Sequence, residues 1–289
     1  TRGTVDQAVA IDEVKRFIAQ QDLNAETRFV PEKAIPKVDG EFSEKIAVIG
    51  GGPAGLSCAY YLAEKGYRPT VFEREARPGG MLMNGIPSFR LEKDVVEAEL
   101  DILRELGVEF RCGVEVGKDV TIAQLREQGY QSFYVAVGLQ SGGKLNIPGG
   151  DADGVMAGID FMRQVNLHEK KTLSGKVVVI GGGNVAMDVC RSAVRLGARK
   201  VSCVYRRRQE DMTALPEEVE GAVAEGVELV TLQAPVRIET DANGHAVALW
   251  TQPQIIGEMD KKGRPAPEKA KRSEKRIAAD VVVVAIGQG

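Results

Sequence analysis

Apolar residues gather into two short unbroken runs that each end in glycine, Ile46-Ala-Val-Ile49 and Val177-Val-Val-Ile180. Four-residue runs of this kind have the length and composition of strands buried on both faces of a parallel sheet. Three glycines follow each run, and apolar residues then recur at helical spacing over residues 53–65 and 184–196. Both predicted helices stop at a glycine, Gly66 or Gly197, and second strands follow at residues 69–73 and 200–206. Residues 45–55 and 176–186 align without a gap at an offset of 131, so the chain uses one βα unit twice.

The remaining pattern fits around these units. An acidic amphipathic stretch predicts a helix at 91–106, with a short strand at 108–112 and another at 130–137 that runs into Gly138. Residues 146–151, Asn-Ile-Pro-Gly-Gly-Asp, read as a turn-rich crossing. Beyond it come a helix at 217–225, strands at 227–238 and 246–256, and a closing strand at 280–286. The expected fold is α/β, with two Rossmann-like three-layer dinucleotide-binding domains at 41–146 and 147–289. An N-terminal segment at 1–40 carries a helix at 10–21 and is punctuated by Pro31 and Pro36. Because the sequence opens on Thr1 and closes at Gly289 directly after a strand, it reads as a piece of a longer polypeptide.

Composition narrows the function. Hydrophobic residues make up 43% and charged residues 27%, enough apolar content for a buried core. A net charge of −3 is too balanced for a nucleic-acid or membrane-surface binder. No apolar run nears the ~20 residues of a membrane span, which points to the cytoplasm. Cys58, Cys112, Cys190 and Cys203 are dispersed and share no metal-ligand spacing with His168 or His245, so reduced, packed thiols and no metal site are expected. Neither histidine is given a carboxylate or cysteine partner, no catalytic triad spacing is present, and no catalytic side chain is assigned. The basic stretch 261–276, with eight lysines and arginines, reads as a solvated hairpin loop.

The glycine clusters carry the chemistry. In Gly50-Gly-Gly-Pro-Ala-Gly55, Gly50 lets the chain turn out of its strand, Gly52 lets backbone approach a pyrophosphate, and Gly55 lets helix pack on strand. The helix start then offers free N–H groups to the anion. Glu73 ends the next strand 23 residues after Gly50, where an acid accepts from ribose hydroxyls and repels a 2′-phosphate. The second copy has Gly181, Gly183 and Ala186, and where the first copy ends on Glu73 it ends on Tyr205-Arg206-Arg207-Arg208. Guanidinium groups bind a 2′-phosphate through charge-assisted hydrogen bonds. The first site is therefore expected to hold a nucleotide with a free ribose, and the second NADP(H). Two such sites in one chain suggest a flavin beside a nicotinamide, donor next to acceptor.

Taken together, Gly50 to Gly55, Glu73, Pro78-Gly-Gly-Met81, Gly85-Ile-Pro-Ser-Phe-Arg-Leu91, Ile147-Pro-Gly149, Gly181-Gly-Gly-Asn-Val-Ala-Met-Asp188, Tyr205-Arg-Arg207, Pro216-Glu-Glu218 and Ala285-Ile-Gly287 resemble the glutamate synthase small (β) subunit family. Similar modules occur in dihydropyrimidine dehydrogenase and in bifurcating transhydrogenase subunits. The resemblance implies that Gly50, Gly52, Pro53, Ala54 and Gly55 cradle the FAD pyrophosphate, with Glu73 on its ribose. It also implies Gly80, Met81 and Arg90 along the flavin and its phosphate arm, Val116 near the adenine, and Gly138 at the domain crossing. On the other side it implies Gly182, Gly183, Asn184 and Val185 at the NADPH phosphates, Arg206 and Arg207 at the 2′-phosphate, and Ala285, Ile286 and Gly287 beside the nicotinamide. The implied reaction is hydride transfer between NADPH and FAD. Electrons then pass to iron–sulfur clusters in flanking segments or partners, such as the glutamate synthase large subunit or another catalytic subunit. The cluster-binding cysteines of the family and its return to the flavin domain after Gly287 are not in this sequence, so an isolated chain is expected to bind no cluster and to hold FAD weakly or not at all. Two other readings stay open: a ferredoxin-linked NADP transhydrogenase subunit and a non-catalytic NADP(H)-binding scaffold.

Overall fold

The computed structural model describes residues 2–6, 8–32, 42–167, 172–259 and 265–287. It divides the chain into two compact units, Thr1–Met83 with Leu91–Gly138, and Asn84–Arg90 with Leu139–Gly289.

The first unit begins with α1 (Ile11–Leu23), none of whose side chains is buried. Arg28, just after it, donates to Asp22 and Glu99 and to the carbonyl of Ala98, which moors this segment. Next come β1 (Lys45–Ile49), α2 (Pro53–Glu64), β2 (Arg68–Glu73), α3 (Met81–Asn84), α4 (Lys93–Glu105), β3 (Glu109–Cys112), α5 (Ile122–Glu127) and β4 (Tyr130–Val135). The strands form one parallel sheet in the order β3-β2-β1-β4. Gly55, Ala59 and Ala63 make a stripe of small residues that lays α2 close on the sheet, over Val48 and Val71. Val96, Leu100 and Leu103 recur at helical spacing on the buried face of α4. The opposite face of the sheet is closed by Leu125 of α5 against Ala47, Phe72 and Tyr130.

The second unit is built on β5 (Val155–Ala157), α6 (Gly158–Asn166), β6 (Lys176–Ile180), α7 (Asn184–Arg195), β7 (Lys200–Val204), α8 (Pro216–Ala224) and β8 (Glu228–Val230). These are followed by β9 (Gln233–Thr240), β10 (Ala246–Met259), β11 (Pro265–Lys269), β12 (Lys275–Ala278) and β13 (Val281–Val284). A parallel sheet runs β5-β13-β6-β7-β8, while β9, β11 and β12 all pair antiparallel with β10. Alternate residues of the parallel strands face different layers. Val177, Val179, Val201, Cys203 and Val283 pack under α6, α7 and α8. Val178, Ile180, Val204 and Val282 pack against Ile238, Ala246 and Leu249 of the antiparallel sheet. Full burial of a valine side chain is worth roughly 1.5–3 kcal/mol, so these central strands supply much of the unit's cohesion.

Several expectations need correction. The strand expected over 227–238 breaks in two at Leu232, whose backbone is left-handed at φ 56°. The closing strand is shorter than expected, Val281–Val284, and β10 longer, reaching Met259. Part of the basic stretch expected as loop is strand, because β11 and β12 pair with β10; residues 261–264 of that stretch lie outside the described residues, as does Pro36. Elements α3, β5, α5 and α6 were not anticipated. Their segments are short and lean on long-range pairing, β5 with β13 and α6 with α7. Residues 84–90 and 139–146 fall in the second unit, although 41–146 was expected to form the first domain.

Candidate functional site

In the first unit the crevice opens at the carboxyl ends of β1, β2 and β4, the usual ligand position in an open parallel sheet. Gly50 leaves β1 at φ 106°, its N–H donating to Phe72 O, and a Cβ there would lie 2.3 Å from Ala136 O. Only glycine fits that turn. At Gly55 a Cβ would come 1.9 Å from Gly50 O, so the first turn of α2 presses directly on the loop. Gly52 caps α2, Pro53 opens it, and the amides of residues 54 and 55 have no intrahelical acceptor within that first turn.

Glu73 is 7% exposed. Its Oε2 accepts from the Gly51 N–H at 2.7 Å and its Oε1 from the Glu75 N–H at 2.9 Å, which fixes the carboxylate at the lip of the loop. The segment from Pro78 lies across the same loop. Gly79 N donates to Gly51 O at 2.7 Å, and a Cβ on Gly80 would lie 2.7 Å from the Gly52 Cα. Met81 opens α3 immediately afterwards. Val116 is half-buried beside Phe72, in a loop joined to β2 through Val114 N to Glu73 O at 3.0 Å. Gly138, at φ 67°, ends this unit. A backbone cradle without side chains, with an oriented carboxylate on its rim, fits the pyrophosphate and ribose of a dinucleotide.

The second unit repeats the arrangement. Gly181 N donates to Val204 O, and a Cβ on Gly181 would lie 2.3 Å from Ala285 O. Gly182 lies flat against the Tyr205 ring, and its carbonyl accepts from the amides of Thr213 and Ala214, both at 3.0 Å. Asn184 Oδ1 accepts from Leu215 N at 3.0 Å. A cavity of about 520 Å³ is lined by Gly181 to Val185, Tyr205 to Arg207, Thr213, Pro235 and Ala285 to Gly287, among others. The expected residues of this half therefore come together around one cavity large enough for part of a dinucleotide.

The three arginines after β7 do not share one environment. Arg206 is exposed and has no ion pair among the described residues. Arg207 is 5% exposed and donates through Nε to Pro265 O at 2.8 Å. Arg208 is held by Asp211 and Glu210.

Arg90, expected along the flavin, lies in the second unit, where it pairs with Asp188 of α7 and Glu218 of α8. Burial raises the Asp188 carboxyl above its usual range, against the lowering pull of Arg90. Phe89 stacks beneath both Arg191 and Arg195, at 4.5 and 4.1 Å from the ring centroid. His245, expected to lack a carboxylate neighbour, pairs through Nδ1 with Asp153 on an exposed surface. The two are 92 positions apart, so the pairing is invisible in sequence. His168 lies outside the described residues.

Cys190 and Cys203 are fully buried, and Cys203 Sγ donates to Gly181 O at 3.3 Å; burial pushes the Cys190, Cys58 and Cys112 thiols up. Among the described residues no group of His, Cys, Asp and Glu could hold a metal ion, and no helix is long and apolar enough to cross a membrane. Sequence reasoning missed Thr213 and Pro235 as lining residues. Thr213 carries no local motif, and Pro235 arrives from a strand of the antiparallel sheet.

The chain is 39% identical over 306 residues to the NADP(+)-dependent formate dehydrogenase subunit beta of Moorella thermoacetica, covering 99% of this chain and 43% of that protein. It is 37% identical over 291 residues to the glutamate synthase [NADPH] small chain of Escherichia coli K12, covering 97% of this chain and 60% of that protein. The chain thus spans about half the length of the curated relatives it matches. Among solved structures, Mycobacterium tuberculosis FprA in complex with NADPH shares the fold at a TM-score of 0.69 and 22% identity, over 85% of this chain and 71% of that one. With a sequence model that matches residues 44–289, the chain belongs to the pyridine nucleotide-disulphide oxidoreductase family.

Proposed function

We propose that this chain is the NADPH- and FAD-binding module of a larger oxidoreductase, with FAD in the first unit and NADPH in the second. The observation that carries this reading is the contrast between the two copies of the fold. A fixed carboxylate, Glu73, stands at the end of one second strand, and an unpaired guanidinium, Arg206, just past the end of the other. The carboxylate accepts from the hydroxyls of an unphosphorylated ribose, whereas the exposed guanidinium of Arg206 takes a 2′-phosphate. The loops at Gly50 to Gly55 and Gly182 to Val185 present helix-start amides to the two pyrophosphates. When bound, the coenzymes supply the redox chemistry, a hydride passing from C4 of the nicotinamide to N5 of the flavin, so the protein needs no side-chain acid or base.

Both relatives named above are subunits or chains named for NADP(H), which supports the same nucleotide here. The electrons leave for a partner subunit that carries iron–sulfur clusters; the large subunit of a glutamate synthase is one such partner. A cytoplasmic location accords with that role. The test is to release and identify the bound nucleotide from purified protein and to titrate NADPH by calorimetry. One NADPH site per chain is expected, and one FAD per chain once FAD is supplied in excess. A protein that binds NADPH but never flavin, even when supplied, would favour a sensing scaffold instead.

A further inference from the structure

We propose that the antiparallel arm of the second unit sets selectivity for the 2′-phosphate, with Arg206 as the group that meets the phosphate and Arg207 as a strut that holds Arg206 in place. This inference rests on the NADPH assignment above and goes beyond it. The loop after β7 does not stand alone. Tyr205 N donates to Val230 O at 3.0 Å, Tyr205 O accepts from Gln233 N at 3.0 Å, and Arg207 O accepts from Leu232 N at 3.0 Å. Leu232 O in turn accepts from Gln254 N of β10 at 2.8 Å, and the Arg207 Nε–H reaches Pro265 O of β11 at 2.8 Å. Arg207 is thus held through its backbone by Leu232, which β10 pins in turn, and through its side chain by β11.

Leu232 is the one non-glycine residue described with positive φ, at 56°, a region that a leucine adopts only when its surroundings impose it. It does not line the cavity. Its bent backbone aims the amide at the Arg207 carbonyl on one side and the carbonyl at β10 on the other. Arg207, 5% exposed, spends its Nε–H on the arm, while Arg206 next to it is exposed and unpaired among the described residues. The buried neighbour fixes the backbone, and the exposed one presents the charge.

Glutamine places an N–H donor where arginine has Nε but carries no charge, so Arg207→Gln separates a strut from a phosphate ligand. The experiment is calorimetric titration of the purified protein with NADPH and NADH at fixed ionic strength, with a melting temperature for each variant. Arg206→Ala and Arg207→Ala are expected to lower the NADPH-over-NADH preference at least tenfold, and Arg207→Gln to keep it within about threefold, taking a charge-assisted contact at its usual strength. Leu232→Val, β-branched and unsuited to positive φ, is expected to lower the preference with NADH affinity unchanged. Leu232→Gly, which accepts that backbone, is expected to retain it. If Arg207→Gln loses as much as Arg206→Ala, or if Leu232→Val lowers only the melting temperature, the strut is refuted and Arg207 is a direct ligand. A wild-type protein that binds both nucleotides alike overturns the phosphate assignment itself, and this inference with it.

Discussion

Replacing Glu73 by glutamine changes one oxygen into an NH2 group and almost nothing else. In the folded protein both carboxylate oxygens are spoken for, Oε2 by the Gly51 N–H and Oε1 by the Glu75 N–H, and the side chain is 7% exposed. Glutamine can satisfy one of these donors and must point its own NH2 at the other. The lost hydrogen bond to a charged acceptor is worth roughly 1.5–3 kcal/mol, and the surviving bond weakens by about 1 kcal/mol as it becomes neutral. A total of about 2.5–4 kcal/mol is therefore expected. At about 2–4 °C per kcal/mol for a chain of this size class, the melting temperature should fall by at least about 5 °C. Because the Gly51 amide belongs to the loop that cradles the pyrophosphate, FAD content per chain should fall as well, while NADPH affinity at the second unit stays within about twofold. Differential scanning calorimetry and quantitation of released flavin check both. A Glu73→Gln protein that melts within 1 °C of the parent and keeps its flavin would show that these two bonds do not hold the loop.

The two copies should respond in opposite ways to exchange of their third small residue. Gly55→Ala drives a Cβ into the Gly50 carbonyl and should cost about 1–3 kcal/mol along with FAD binding, whereas Ala186→Gly should cost only about 1 kcal/mol of helix propensity and leave NADPH affinity intact; urea melts and nucleotide titrations read both. Arg90→Met strips the partner from Asp188, which is 13% exposed, leaves Glu218 to Arg191 alone, and should destabilise the second unit by about 2–3 kcal/mol, seen as a lower urea midpoint. Burial lowers the Lys93 ammonium from the ordinary 10.5 to about 8. Between those values the unfolded chain holds that proton more tightly than the folded one, so this contribution to stability rises with pH across the window. Partial exposure reduces it to about 1–2 kcal/mol. Lys93→Met should lack that rise and melt higher than the parent at pH 7; identical pH profiles would contradict the assignment.

Much of this architecture was legible because its signals are local. A four-residue apolar run, a glycine turn and a helix that ends on glycine occupy contiguous sequence, and their recurrence from Lys45 to Lys176 announced the duplication. Glu73 and Arg206 stand out in the sequence for the same reason, since each follows its own glycine loop at a similar distance, 23 residues after Gly50 and 25 after Gly181. What escaped was nonlocal. Arg90 finds its acids 98 and 128 positions away, on α7 and α8, and a motif read along the chain gives no hint of that capture. Arg207 looked equivalent to Arg206 until β11 supplied a carbonyl to its side chain. The break at Leu232 is unannounced because leucine has no preference for left-handed backbone; the hydrogen bonds to Arg207 and Gln254 impose it. The layer of antiparallel strands over one face of the second sheet was likewise hidden, since a strand's pattern does not name the surface it will cover.

The most direct test of the two-coenzyme account is anaerobic stopped-flow mixing of the flavin-loaded protein with one equivalent of NADPH or NADH, followed in the flavin absorbance band. Loss of that band with NADPH, at least tenfold more efficient than with NADH and abolished in selectivity by Arg206→Ala, is the predicted result. A flavin that stays oxidised with NADPH, or that is reduced equally well by both nucleotides, would contradict it.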